Sequence, residues 1–250
     1  MQALIEAART LSAACDSLIA PLSKQTIAKH ITNPLDYARD CHEDYLNRYG
    51  NLGAKTLMLG MNPGPWGMAQ CGVPFGATAM VRELLKINHP VQQPQNAHPK
   101  RPIIGLSLER QEASGTRLWS LLNQHYGNAE EIHEHVFIVN HCPLLLLDEN
   151  ARNITPDKIS GKAVAKLMDV CDQHIRDVVE ALGITRIIGV GKYAEKRAKI
   201  AIGGDIHSLG GNFYQPTVLS NVTTNAKITY EETFGPVAPI YKFSSDEEVI

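Results

Sequence analysis

KTLMLGMNPGPWGMAQCGVPFG, residues Lys55 to Gly76, is the stretch whose reading decides the fold. Its first six residues form a near-continuous apolar run, the pattern of a strand covered on both faces of a parallel sheet. From Leu59 onward the chain is rich in glycine, broken by Pro63, Pro65 and Pro74, and free of charge as far as Gly76. Such a segment cannot continue as a regular element, so it is a loop, and its apolar content says that water does not surround it. A buried, ordered loop at the end of a strand usually holds something.

Two further runs of the same kind, HVFIVN (135–140) and TRIIGVG (185–191), predict two more strands buried on both faces. Helical patterns lie between them. In SGTRLWSLLNQHYG the spacing places Leu118, Leu121, Leu122 and Tyr126 on one face, with Ser114 as the expected N-cap. Over 160–182 the apolar face comprises Val164, Leu167, Met168, Cys171, Ile175, Val178, Val179 and Leu182, and Gly183 follows as a C-cap. An amphipathic helix is also expected at the N-terminus, where Glu6, Arg9 and Asp16 interrupt the apolar core that a signal peptide needs. Strands alternating with helices imply an α/β fold with a parallel sheet, whose ligands lie at the carboxyl ends of the strands. The loop after residue 60 and NHCPLL after residue 139 converge on that end.

With 44% hydrophobic and 20% charged residues the chain has the composition of a soluble globular protein, and no apolar run approaches the roughly 20 residues of a membrane span. A cytoplasmic location is expected, or a nuclear one in a eukaryote, with no membrane partner. The five cysteines are scattered and lack a CxxC pair, which argues for reduced, buried thiols and against a structural metal. The net charge of −2 divides unevenly: residues 203–250 carry −4 and the remainder +2. Lys192, Lys196, Arg197 and Lys199 form a basic helix after the third strand, most commonly a solvated face, though a helix start that faces a phosphate is compatible. The glycine-rich loop has neither the GxxxxGK[ST] nor the GxGxxG pattern of a phosphate cradle. Asn62, Trp66 and Phe75 suggest a flat, neutral ligand instead.

The segments GMNPGPWGMAQCGVPFG, HPKRPIIGLSLERQEASGTRLW, VNHCPLL, RNITP and GVGKYAEKRA, in this order over about residues 30–202, resemble the single-strand-selective monofunctional uracil-DNA glycosylases. The resemblance implies a three-layer α/β/α sandwich on a short parallel sheet. It also implies a repair enzyme that flips uracil, and by extension oxidised pyrimidines, out of single- or double-stranded DNA and hydrolyses the N-glycosidic bond. Carried over by motif, Phe75 stacks on the base, Asn140 reads its edge, and Asn62 positions the attacking water. Met61, Gly64 and Met68 line the pocket. Trp66 stands where the family more often has phenylalanine and is expected to fill the same space, while His141 receives no family role and is read as packing. The implied partner is uracil-containing DNA, single strands favoured; the implied chemistry needs no metal or organic cofactor, and a monomer is expected.

The family's second catalytic motif, HPSP, is missing from this sequence, and with it the C-terminal strand that leads to it. His207, followed by SLGG, does not fit its role. Residues 203–250 instead resemble an internal fragment of the NAD(P)-dependent aldehyde dehydrogenases of the succinate-semialdehyde type, through GGNFYQPTVL and EETFGPVAPIYKF. There Glu232 and Phe234 match residues that approach the cofactor, but without the nucleophilic cysteine segment no aldehyde oxidation follows. About 48 residues cut from a larger fold should not form a core alone, although FYQPTVLSNV is a candidate edge strand. The expected organisation is therefore a truncated glycosylase-like domain over 1–202 joined to a foreign tail, with activity weakened by the lost motif. The alternatives are an inactive module that binds single-stranded DNA or uracil, and a fusion product without function.

Overall fold

The computed structural model describes residues 2–202 and two short strands, 217–220 and 237–240. His207, Glu232 and Phe234 lie outside the described residues. In chain order the elements are α1 (Gln2–Gln25), β1 (His30–Thr32), α2 (Pro34–Tyr37), α3 (Arg39–Tyr49), β2 (Thr56–Gly60), α4 (Met68–Cys71), α5 (Thr78–Glu83), α6 (Ala113–Tyr126), α7 (Ala129–His135), β3 (Val136–Asn140), β4 (Leu145–Leu147), α8 (Lys162–Leu182), β5 (Arg186–Gly189), α9 (Lys192–Ile202), β6 (Thr217–Ser220) and β7 (Val237–Ile240). By compactness the chain divides into Met1–Ala201 and Ile202–Ile250.

The three apolar runs form one parallel sheet in the order β3-β2-β5, with Gly60 opposite Asn140 at the carboxyl end. Helices cover both faces of β2 and β3, giving a three-layer α/β/α sandwich. Its core joins Leu57, Leu59, Phe137 and Ile138 to Tyr45 and Tyr49 of α3, Trp119 of α6, Ile132 of α7 and Ile175 and Val178 of α8. A second core packs α1 on α8 through Leu11, Cys15, Leu18, Leu167 and Cys171. All five cysteines are free and buried. No helix among the described residues is long and apolar enough to cross a membrane.

The helix over 162–182 and its left-handed cap at Gly183 (φ 60°) match expectation. Three sequence readings need correction. Strand β5 is not buried on both faces: Arg186 and Ile188 are exposed, because among the described residues the sheet has no strand beyond it. Helix α6 turns Trp119 and Leu122 inward and leaves Leu121 63% exposed, so its core stripe lies one position away from the face read from the sequence. Ser114 sits inside the first turn; the cap is Glu112, whose extended backbone precedes Ala113. The antiparallel pair β1–β4, joining His30 to Leu147, had no signal in the sequence beyond its apolar residues. The TVLS portion of the FYQPTVLSNV run pairs in parallel with β7.

Candidate active site

The loop after β2 is built into the protein from all sides. Gln70, fully buried in α4, spends its whole amide on it: Nε2 donates to the carbonyls of Pro65 (2.8 Å) and Pro102 (3.0 Å), and Oε1 accepts from the backbone of Ile104 and Gly105. The Tyr37 hydroxyl donates to the Ala69 carbonyl at 2.6 Å, His42 Nδ1 meets the Gly72 carbonyl at 2.8 Å, and Asn153 Nδ2 donates to the Pro63 carbonyl at 3.1 Å. Buried polar groups satisfied in this way fix one conformation. The loops after β2 and β3 also continue the sheet's pairing, with His141 N donating to Gly60 O and Cys142 N to Met61 O.

This frame brings Phe75 and Asn140 together. A Cβ on Gly60 would lie 2.1 Å from Asn140 Oδ1 and 2.6 Å from Phe75 Cε2, so only glycine lets the amide and the ring approach the strand end side by side. Phe75 holds a left-handed backbone (φ 53°), a conformation that costs free energy and persists only when its surroundings enforce it. Its carbonyl accepts from Ala77 N across a tight three-residue turn and from the indole Nε1 of Trp119 at 3.1 Å. Asn140 is buried, and its Nδ2 donates to the Met68 sulfur at 3.2 Å. Asn62 is half-buried, and its amide reaches only the neighbouring Pro63 carbonyl at 3.5 Å, which leaves its side chain uncommitted to the fold. Behind Asn140 and Met68 lies a void of about 20 Å³, sized for one water and also lined by His42 and His174.

One feature of the site, Glu112, had no sequence reading, and another, His141, was read as packing. The Glu112 carboxyl packs on the opening loop: a Cβ on Gly64 would stand 1.7 Å from its Oε1, and one on Gly67 2.2 Å from its Oε2. Burial pushes the Glu112 pKa up, against a hydrogen bond from Ser114. His141 proves to be the centre of a buried network. Its Nε2 donates to Asp172 Oδ1 (2.8 Å), its Nδ1 accepts from the Tyr193 hydroxyl (2.9 Å), and Asp172 also takes both ends of the Arg197 fork. Burial lowers the His141 pKa against the opposing pull of Asp172, so the ring is neutral with its proton on Nε2. Asp172 is charge-matched by Arg197 instead. The network ties β3 to α8 and α9 one residue from Asn140. Arg197 and Tyr193 are thus not solvated helix residues, contrary to the reading of that helix as an exposed basic face. Among the described residues no group of three His, Cys, Asp or Glu side chains is placed to hold a metal.

The fold and site define an α/β sandwich that presents an aromatic ring and neutral amides at the carboxyl end of its sheet. Comparison with known proteins narrows this class. The chain is 44% identical over 172 residues, 69% of its length, to the single-strand selective monofunctional uracil DNA glycosylase of Bos taurus, and spans 63% of that protein. Residues 184–250 match the aldehyde dehydrogenase family, and 92 residues are 41% identical to the succinate-semialdehyde dehydrogenase [NADP(+)] GabD of Escherichia coli, covering 37% of this chain and 15% of that one. The crystal structure of wild-type Pedobacter heparinus SMUG2 aligns over 76% of this chain and 80% of its own, with a TM-score of 0.49 and 20% identity. Homologues of the monofunctional uracil DNA glycosylases thus account for about 70% of the chain, and aldehyde dehydrogenase homologues for its C-terminal part.

Proposed function

We propose that this chain is a uracil-DNA glycosylase of base-excision repair: it hydrolyses the N-glycosidic bond of uracil, and of oxidised pyrimidines of similar outline, in single- and double-stranded DNA and leaves an abasic site. The observation that carries the reading is the juxtaposition of the Phe75 ring and the Asn140 amide over Gly60. A flipped pyrimidine stacked on Phe75 presents its edge to Asn140, whose amide offers both a donor and an acceptor. The Nδ2 donor now meets the soft Met68 sulfur, and exchanging that acceptor for a base carbonyl strengthens the hydrogen bond. Asn62, with its uncommitted amide, holds the water nucleophile, while Met61, Gly64 and Met68 shape the space around the base.

Bond cleavage creates an oxocarbenium-like sugar and a uracil anion, so the protein contributes mainly pre-placed dipoles. His141 cannot take the part of an anion-stabilising histidine, because both ring nitrogens are engaged by Asp172 and Tyr193. Without the HPSP histidine the rate falls by about 10²- to 10³-fold, by analogy with removal of an oxyanion-hole donor. Double-stranded substrate suffers more, since unpairing adds a few kcal/mol. We read the chain as a glycosylase-like domain over 1–202 joined to part of an aldehyde dehydrogenase. The family match over 184–250 and the acidic balance of the tail support this reading.

The test is excision from a labelled single-stranded oligonucleotide carrying one uracil, with abasic product revealed by alkaline cleavage. Slow cleavage that disappears in Asn62→Ala is expected. A folded chain that yields no product, or an Asn62→Ala variant that cleaves equally well, overturns the reading.

A further inference from the structure

Trp66 does more than fill the space of a phenylalanine. It stands in the loop that carries Asn62, Gly64 and Met68, and two guanidinium groups sit over its half-buried indole: Arg110 at 4.5 Å from the ring centroid and Arg101 at 5.0 Å. Measured to one shared centroid, the two cations are at most about 9.5 Å apart, inside the roughly 10 Å screening length at 0.1 M salt. Neither forms an ion pair with a carboxylate among the described residues. Arg101 is steadied by donating Nε–H to the Ala151 carbonyl at 3.2 Å.

The other charges on these segments do not cancel the pair. Lys100 is exposed beside Arg101, and Glu109 is exposed beside Arg110. The Glu112 carboxyl is turned inward onto Gly64 and Gly67. Two like charges held on one ring repel each other, and an anion bridging them removes that repulsion. The flat guanidinium fork suits a phosphate in particular. The same patch offers apolar surface, since Ile104, joined to Pro65 through Gln70, is 48% exposed. Cations that track a backbone, interleaved with an aromatic face and apolar surface, are the device by which proteins hold single strands.

We propose that Trp66, Arg101 and Arg110 form a binding site for the backbone of single-stranded DNA at the nucleotides flanking the one in the pocket. The two arginines clasp a phosphodiester, and Trp66 with Ile104 supports the adjoining base. The choice of this strand as occupant rests on the glycosylase reading, and the positive, aromatic character of the patch rests on the cation–ring geometry itself.

The experiment uses the full chain and a fluorescein-labelled single-stranded oligodeoxynucleotide that contains one tetrahydrofuran abasic site and no uracil, so that nothing turns over. Affinity is measured by anisotropy against salt concentration, with melting curves to confirm that each variant is folded. For R101Q/R110Q, weaker binding is expected together with a salt slope shallower by about 0.7 for each phosphate no longer neutralised. W66A should weaken binding roughly tenfold by removing the stacking surface, and W66F should recover part of that affinity should W66A fold poorly. K55Q, at the opposite end of β2, should leave the slope unchanged. The proposal is overturned if the native chain does not bind this strand, if R101Q/R110Q keeps the native slope, or if K55Q changes it equally. Uracil excision and its dependence on Asn62 are assayed separately: their failure with binding intact sinks the glycosylase reading alone, and unchanged binding in R101Q/R110Q with excision intact sinks this site alone.

Discussion

Strands β2 and β5 lie side by side in one sheet with nearly equal apolar character, yet they meet opposite fates. TLMLG is buried along almost its whole length, while RIIG alternates between exposed and half-buried. Strand β2 has a partner on each side and β5 only one among the described residues. The contrast extends to the polar groups. At the carboxyl end of β2 and β3, Gln70, Tyr37, His42, Asn153 and His141 direct their hydrogen bonds inward. Apolar residues alone therefore do not mark where this fold is complete; satisfied buried polar groups do, and they gather around Asn140 and the loop after β2.

The largest effect should follow from acid. His42, His133 and His174 are each pushed down to about 4 by burial, and all three pack around the β2–β3 side of the sheet. A histidine held neutral in the fold regains its ordinary pKa of about 6.5 when the chain unfolds, so between pH 6.5 and 4 the unfolded chain binds more protons. Stability is then fully present above pH 6.5 and is lost as the pH falls toward 4. The loss is on the order of 1 kcal/mol per pH unit for each histidine. Urea midpoints measured across this window should fall steeply, and His174→Gln should flatten the fall by about a third. A flat profile would mean that the buried side of the sheet is no more tightly sealed than the β5 edge.

Next in size is the network that joins the two regions. Asp172→Ala leaves the Arg197 guanidinium, only 15% exposed, without its carboxylate and removes the partner of His141 Nε2. Breaking a buried pair from one side costs about 3–5 kcal/mol. Thermal melting should show the loss. Under the glycosylase reading, because His141 adjoins Asn140, excision should also fall further in Asp172→Ala than in a surface variant of equal stability.

A matched pair of truncations sharpens the contrast between neighbouring strands. Leu59→Ala in β2 removes a fully buried side chain and should cost about 2–5 kcal/mol. Ile188→Ala in β5, 39% exposed beforehand, should cost less than about 1 kcal/mol. Similar losses from chemical denaturation would mean that β5 is covered in solution by something outside the described residues.

How much of this was legible in the sequence follows from the same physics. The three apolar runs, helix α8 with its Gly183 cap, and the convergence of two loops at the strand ends all follow from period and punctuation. The edge position of β5 was not legible, because an apolar run looks the same whether or not a further strand covers it. In α6 the periodicity allowed two adjacent stripes, and the bulk of Trp119 decided for the one that the leucines did not mark. Gln70, Glu112 and His141 were the least readable. Each is a polar residue inside an apolar motif, and that departure from pattern was the available signal, but their partners lie far away in sequence and only the fold names them.

The last predicted effect bears most directly on the site. Trp119→Phe keeps an aromatic ring in the core, deletes the indole N–H that donates to the Phe75 carbonyl at 3.1 Å and, because Trp119 is fully buried, leaves a small void where the second ring stood. That carbonyl still accepts from Ala77 N, so it is not orphaned: the lost hydrogen bond costs about 1 kcal/mol, and the void adds about 1–3 kcal/mol. The kinetic loss should be larger than this stability loss implies, because Phe75 is held at φ 53° and relaxes once one of the two bonds on its carbonyl is gone. A ring that stacks on the base would then be displaced from the Asn140 amide while every pocket side chain remains in place. Under the glycosylase reading, Trp119→Phe should raise KM for uracil-containing single strands more than it lowers kcat. A variant that loses stability and keeps its native KM would show that Phe75 is core packing, and that the ordered loop was built to hold something other than a stacked base.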